Sequence, residues 1–310
     1  MTLTQLSYIV AVDTHRHFAT AAEKIYVTQP TLSMQIQKLE EQLGVTIFDR
    51  SKSPVVPTAV GKEIISQART VLKEAKTIED LAGQADDSLR GPFRIGILPT
   101  IAPYLVPLFL RRFVQTWPEA QLIIEEMQTE ELVDALVTDR LDAGIIATPV
   151  DQGHIFTEDL YVEPMVAYLS SNHSLAGKKR LEIEDLETQN IWLLNEGHCF
   201  RDQAVRLCKQ TNRKKGSSIH FESGNLETLK RLVEQDFGMT LLPVLAADMD
   251  KYGSRGAHIK PFSGPVPSRK VRLVWSRKHL NRKWIQALHE GIMSSIPPEL
   301  TQTEERIILE

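Results

Sequence analysis

Two cysteines, Cys199 and Cys208, lie in the stretch NEGHCFRDQAVRLCKQ and are the only ones in the chain. Gly197 interrupts what precedes them. From His198 onward the pattern reads as a helix, with Phe200, Ala204, Leu207 and Cys208 on neighbouring faces. Cys199 falls in the first turn, where free N–H groups and the positive end of the helix dipole favour a thiolate. His198 and Arg201 stand beside it and add to that expectation. A thiolate is the form that peroxide oxidises. On one continuous helix the nine positions from Cys199 to Cys208 span about 13.5 Å, at roughly 1.5 Å per residue. A disulfide needs Cα atoms within about 7 Å. Joining the two sulfurs therefore requires the segment to unwind, and a bond that demands refolding is a switch. The alternative is a pair of ordinary buried thiols, which the spacing alone leaves open.

The rest of the composition narrows the setting. The 310 residues suffice for two or three domains, and 42% hydrophobic with 25% charged residues is ordinary for a globular protein. Two cysteines build no disulfide scaffold and too few ligands for structural zinc, so neither metal nor cofactor is expected. The start of the chain lacks a basic stretch followed by an apolar run, and no segment reaches about 20 apolar residues. A cytoplasmic protein with no membrane partner is the expectation. The net charge of −4 advertises no nucleic-acid partner, so any DNA contact must come from local arrangement.

The elements that must position the cysteines fall into a sequence of blocks. Residues 1–57 carry three short helical patterns, with Leu3, Leu6, Ile9 and Val10 on one face of the first and Phe18–Ile25 as the second. The third runs over 28–43, capped by Thr28, with Pro30 in its first turn and Gly44 as its stop. An extended pair with a turn at Ser51–Pro54 follows, so the block reads as a winged helix-turn-helix. Residues 58–88 form a long amphipathic helix in which Ile64, Ala68, Val71, Ala75, Ile78 and Ala82 repeat as a heptad seam. Such a seam suits pairing with a second copy; packing on its own domain is the alternative. Residues 89–92 read as a hinge within the linker-like Asp86–Pro92.

From Phe93 the pattern alternates: strands FRIGIL, QLIIEE and DAGIIA, with helices at Leu105–Gln115 and Glu130–Asp139. A second α/β unit begins near Met165 and includes IWLL, the cysteine helix, a strand around Ser218–Glu222, the helix Leu226–Gln235 and GMTLLP. KVRLVWS and the helix Trp284–Met293 return to the first unit. The expected architecture is thus α/β and multidomain, with a two-lobed regulatory domain over 93–296. Lobe I takes about 93–162 and 267–296, lobe II about 163–266. A polar tail, 297–310, has no assigned role. Two lobes joined by crossing strands leave a cleft suited to a small ligand.

Within helix 28–43 the first two turns present Thr28, Gln29, Thr31, Ser33, Gln35 and Gln37, short polar groups able to meet base edges in a major groove. Lys38, Arg50 and Lys52 suit phosphates. Residues 1–60 hold five basic and five acidic side chains, so attraction to DNA must come from charge placement and from doubling in a dimer. On these grounds alone a helical dimerisation module competes with DNA binding.

The run HFATAAEKIYVTQPTLSMQIQKLEEQLGVTIFDR resembles the helix-turn-helix of LysR-type transcriptional regulators. The resemblance is carried by Ala21-Ala22, the Gln-Pro-Thr-Leu-Ser run at 29–33, Leu39-Glu40, Leu43-Gly44 and Phe48-Asp49-Arg50, and it extends over almost the whole chain. It implies that Thr31, Ser33, Gln35 and Lys38 face the groove or nearby phosphates, and that Arg50 anchors the wing. It also implies a two-lobed regulatory domain like that of periplasmic binding proteins, and dimers or tetramers on an operator, working with RNA polymerase. GHCFRDQAVRLC is similar to the sensor segment of the peroxide-sensing members of that family, matching at Gly197, His198, Cys199, Arg201, Asp202, Gln203 and Cys208. The resemblance implies that Cys199 is oxidised by hydrogen peroxide to a sulfenic acid, that Cys208 resolves it into a disulfide, and that thiol reductants reset the switch. It further implies a peroxide pocket made by Thr100, Thr129, His198, Asp202 and Arg269. Taken without it, each threonine reads equally as a helix cap or turn residue.

The expectation is therefore a redox-responsive, non-enzymatic regulator. Its rivals are a regulator of the same family that binds an organic effector in the interlobe cleft, a thiol peroxidase, and a solute-binding protein. Ser33→Ala is expected to weaken specific DNA binding more than non-specific binding. Equal losses on operator and random duplex in a titration would remove Ser33 from base recognition.

Overall fold

The computed structural model describes residues 1–83, 89–150, 153, 155–186, 191–207, 223–248, 257–276, 282–300 and 306–309. The chain divides into two compact units, Met1–Asp86 and Asp87–Glu310.

The first unit opens with α1 (Leu3–His15), where the Thr2 side chain accepts from the Gln5 backbone and Gln5 reaches back to Thr2. Then come α2 (Phe18–Lys24) and α3 (Gln29–Leu43), the latter capped by Thr28, which accepts from Thr31 N, and ended at Gly44. The wing is an antiparallel pair, β1 (Phe48–Asp49) and β2 (Val56–Pro57), followed by α4 (Ala59–Gly83). One core of Leu6, Ile9, Val12, Ala21, Leu32, Ile36, Leu39, Ile47 and Phe48 joins the three helices to the wing. That core also takes Ile65 and Ala68 of α4, with Ile64, Val71 and Leu72 packed at its edge. The first half of the predicted heptad seam thus packs on its own unit, whereas Ile78 further along is 70% exposed. The expected helix end at residue 88 lies outside the described residues.

The second unit begins β3 (Gly91–Ile97), α5 (Ala102–Thr116), β4 (Ala120–Glu126), α6 (Thr129–Val137) and β5 (Ala143–Ile146). Strands β3, β4 and β5 are parallel. The predicted hinge at 89–92 is shorter than expected, because Gly91 and Pro92 already pair with Ala120 and Gln121. Next is β6 (Phe156–Ser170), a single strand of 15 residues that begins well before the start near Met165 expected for the second unit. A 3-10 turn at Ile183–Leu186, β7 (Ile191–Trp192), α7 (Cys199–Leu207), α8 (Leu226–Glu234), β8 (Met239–Pro243), α9 (Val244–Asp248) and β9 (Ala257–Lys260) make the second lobe. The strand expected around Ser218–Glu222 lies outside the described residues. Then β10 (Val266–Trp275) and α10 (Arg282–Met293) follow, with β11 (Arg306–Ile308) near the end.

The sheet order is β4-β3-β5-β10-β6-β8-β7, with β11 on β10 and β9 on β6. Strand β6 pairs with β10 from Phe156 to Pro164, then with β8 and β9 from Met165 to Ser170. β6 therefore runs through both lobes, and β10 closes beside it. The terminal segment is not a loose tail. β11 pairs in parallel with Val266–Ser268, and Leu309 N donates to Ser268 O at 2.9 Å.

Helix α6 lies close on the sheet because two glycines face it. Gly96 and Gly144 are register partners on β3 and β5, and Leu132 of α6 sits over both. A Cβ on Gly144 would stand 2.5 Å from Leu132 Cδ2, and one on Gly96 3.0 Å from Leu132 Cγ. Leu132 is fully buried and has nowhere to retreat. Gly144→Ala is expected to cost about 1–3 kcal/mol through overpacking. A urea midpoint equal to that of the parent would show that α6 yields freely.

Candidate functional site

Three chain segments converge on Cys199. Leu98, Pro99 and Thr100 follow β3, Gln128 and Thr129 begin α6 after β4, and Gly197 and His198 precede α7. Together with Cys199 they line a cavity of about 10 Å³ for the centre of a water-sized molecule, which is room for roughly one water. It sits where strand ends of the first lobe meet a helix start of the second, the usual place for a ligand in an open α/β sheet. Gly197 has φ +91, and a Cβ there would lie 2.6 Å from Gln128 Oε1, so the glycine lets the Gln128 amide close over the pocket.

Neither pocket threonine serves as a cap. The N-cap of α5 is Ile101 and that of α6 is Gln128, and neither side chain makes a capping bond. Thr100 is buried, and its hydroxyl oxygen accepts from Arg269 Nη1 at 3.0 Å while its carbonyl accepts from Nη2 at 2.9 Å. With its oxygen so engaged, the Thr100 proton is available to donate. Thr129 Oγ1 is buried and has no formed hydrogen bond, yet its proximity to the sulfur favours the charged form of Cys199. A buried hydroxyl without a partner beside a thiol can offer a hydrogen bond to a small molecule.

The thiol itself departs from expectation. Cys199 is half-buried and free, and burial pushes its pKa up. Arg269, the Thr129 hydroxyl and the Phe200 N–H pull the other way, and Asp202 reinforces the rise. Burial wins, so the resting group is a thiol, not the thiolate inferred from its place at a helix start. His198 is buried as well, and burial lowers its pKa, so it stands neutral at pH 7 and brings no positive charge. Arg201 points to carboxylates instead, 3.5 Å from Glu196 and 3.6 Å from Asp202. Asp202, 66% exposed at its side chain, lies on the surface rather than in the pocket lining. Cys208 lies outside the described residues.

Arg269 also stands behind the lining rather than in it. Fully buried, it binds Glu163 through Nε at 2.8 Å and Nη2 at 2.7 Å, and its guanidinium lies 5.4 Å from the centre of the Phe200 ring. Glu163 in turn accepts from Leu245 N at 3.1 Å. Arg269 and Glu163 are directly opposed across β10 and β6. The sequence reading missed Glu163; its signal is a carboxylate set among the apolar residues of YVEPMVAYL, and it acquires a partner only once the register is known. It also gave Gln203 no role. That side chain is buried on α7, and its amide nitrogen donates to Ala147 O and to Leu309 O, both at 2.9 Å. The cysteine helix is thereby fastened to the end of β5 and to the residue after β11.

In the first unit, α3 presents Thr31 and Lys38 to solvent, with Thr31 Oγ1 2.8 Å from Thr28 Oγ1. Gln35 is half-buried and accepts from Gln5 Nε2 at 3.3 Å. Ser33 and Arg50 are joined to each other: Arg50 Nη1 donates to Ser33 Oγ at 3.1 Å, Nη2 to Glu40 Oε2 at 3.0 Å, and the guanidinium covers the Phe18 ring at 5.1 Å. Glu40 also accepts from Ile47 N at 2.7 Å and Phe48 N at 3.2 Å. This carboxylate fixes the wing to α3, a role not visible in its sequence pattern.

Comparison with known proteins places the whole chain. Residues 3–62 match the bacterial regulatory helix-turn-helix protein, LysR family, and residues 86–294 match the LysR substrate binding domain. The chain belongs to the LysR family of transcription regulators. Among curated relatives, the DNA-binding transcriptional dual regulator OxyR of Escherichia coli K12 is 35% identical over 292 residues, covering 94% of this chain and 95% of the relative. The hydrogen peroxide-inducible genes activator of Pectobacterium carotovorum is 36% identical over 275 residues, covering 89% and 90%. A full-length OxyR variant from Pseudomonas aeruginosa is similar in structure, with a TM-score of 0.80, 38% identity and coverage of 96% and 99%. A hydrogen-peroxide-bound OxyR mutant from Corynebacterium glutamicum has a TM-score of 0.63 and 30% identity, covering 95% of this chain and 92% of its own.

The balance of forces on Cys199 can be read by alkylation. The rate of iodoacetamide modification of the reduced protein is expected to reach half its maximum above the ordinary cysteine value of about 8.5. Thr129→Val, which keeps the shape and removes the hydroxyl, should move that midpoint higher. A midpoint that falls, or does not move, would show that the hydroxyl does not favour the thiolate.

Proposed function

We propose that the chain is a DNA-binding transcription regulator that senses hydrogen peroxide through Cys199 and a reversible Cys199–Cys208 disulfide. The observation that carries this reading is the thiol set in a water-sized cavity with two threonine hydroxyls available to it. Such a space is on the scale of a water-sized molecule and far below the several hundred Å³ of a typical organic-ligand site. The relatives named for peroxide response, at 35–36% identity over most of the chain, support the same reading.

In this mechanism Thr100 and Thr129 hold the peroxide, and Arg269 holds Thr100. The Cys199 sulfur attacks one peroxide oxygen as the O–O bond breaks. The departing oxygen takes the thiol proton and leaves as water, and Cys199 becomes a sulfenic acid. Cys208 then attacks that sulfur, releasing a second water and forming the disulfide. A thiol reductant returns two electrons and restores both thiols.

The helix supplies the moving part. From Cys199 to Leu207, α7 rises about 12 Å, at roughly 1.5 Å per residue. A disulfide to the next residue brings Leu207 within about 11 Å of Cys199, taking about 7 Å for the bridge and 3.8 Å for one peptide step. An intact α7 is too long, so the bond forms only as the helix gives up its end. Gln203 then loosens its hold on Ala147 and Leu309, and the lobe surface changes. The altered surface shifts the helix-turn-helix units of a dimer or tetramer paired through α4, and with them contacts to the operator and to RNA polymerase. The cytoplasm, where reductants keep thiols open, is the fitting compartment.

Hydrogen peroxide given at one equivalent is expected to yield a disulfide in the parent, a persistent sulfenic acid in Cys208→Ser, and neither in Cys199→Ser. Mass spectrometry with a sulfenic-acid trap reads all three. A peroxide-dependent change in DNA binding that survives loss of both cysteines would favour an organic effector, and sustained peroxide turnover with a thiol reductant would favour a peroxidase.

A further inference from the structure

The geometry points to Met34 as a sequence-determining contact of α3, reading the methyl group of a thymine in the major groove. This rests on the DNA-binding reading above and goes beyond it by assigning a base preference to a side chain.

Helix α3 buries Leu32, Ile36 and Leu39 completely. At about 100° per residue, Met34 projects roughly 165° away from the mean direction of those three. It is 59% exposed, the largest apolar group that α3 offers to solvent ahead of its last residue, Leu43. It occupies the sixth position of the helix, within the N-terminal half that meets bases in this class of domain. In the free protein its polar neighbours already hold hydrogen bonds, Ser33 with Arg50, Gln35 with Gln5 and Gln37 with Glu41, whereas Met34 has none to exchange. That leaves Met34 between Thr31 and Lys38 on the outward stripe.

A thioether has no proton to donate and accepts only weakly. Pressed on the edge of guanine, cytosine or adenine, it would cover donors or acceptors without replacing their hydrogen bonds, which is costly. The C5-methyl of thymine is the apolar feature of the major-groove code. Unbranched and flexible, methionine can reach it without demanding one geometry. An isolated exposed methionine elsewhere on a surface needs no explanation; here the exposed face is the one that carries the reading. With five basic against five acidic residues in 1–60, long-range attraction contributes little selectivity, and short-range contacts of this kind must supply it.

The test uses the full-length protein and its Met34→Ala variant, each taken through rounds of binding selection from the same random duplex pool. The parent is expected to enrich a thymine at one fixed position of each half-site, and the variant to lose preference there alone. Replacing that thymidine with deoxyuridine removes only the methyl. In fluorescence anisotropy it should weaken parent binding on the order of three- to fivefold, the worth of one buried methyl, and leave the variant unchanged. Identical selected sequences for both proteins, or equal response to deoxyuridine, would overturn the assignment while leaving DNA binding intact. A parent that enriches no sequence would overturn both.

Discussion

The second unit is organised around one buried ion pair. Arg269 and Glu163 face each other across β10 and β6, the two strands that run between the lobes, and both are fully buried. Removing either partner would strand a charge in the interior, at a cost on the order of 3–5 kcal/mol. Both partners make further hydrogen bonds. Glu163 takes the Leu245 N–H at the start of α9, and Arg269 also donates to the side chain and carbonyl of Thr100. Its guanidinium face covers Phe200, the neighbour of Cys199. One cation thus sets the position of a pocket hydroxyl in the first lobe and touches the sensor helix of the second. Its field at Cys199 is tempered by burial, so the thiol rests protonated.

The same economy appears in the first unit on a smaller scale. Glu40 accepts from the wing backbone and from Arg50, which in turn reaches Ser33. A carboxylate again holds an arginine, and the arginine holds a hydroxyl. The outward stripe of α3 is left to residues that have no such duty.

Periodicity made most elements legible. The capped start of α3 at Thr28, the wing and the βαβαβ order after Phe93 all follow from local patterns, because local patterns are what cap chemistry and amphipathicity record. What stayed hidden depended on register. Glu163 means little until β6 is set beside β10. The continuity of β6 through both lobes was masked because its burial changes along the strand, from mixed to fully buried. The short apolar run Ile307-Ile308-Leu309 at the end of a polar segment was passed over, and its docking as a strand depends on a distant partner at Val266–Ser268. The thiolate expectation failed for a physical reason: a helix start favours charge, but the burial of Cys199 removes the solvent that charge requires. Asp202 was placed in the pocket by the family resemblance, and in this chain its side chain lies on the surface.

The narrowness of the cavity has a kinetic corollary. In the proposed mechanism a cavity of this volume would take a small oxidant but not a reductant of protein or tripeptide size. On that mechanism such a reagent would meet the sulfur only once α7 opens, so charging and discharging would follow separate routes. A sensor with separate routes of this kind has memory: its state depends on recent exposure as well as on the instantaneous level of oxidant, and the decay of that memory is set by how readily the opened helix is found, not by how quickly peroxide disappears.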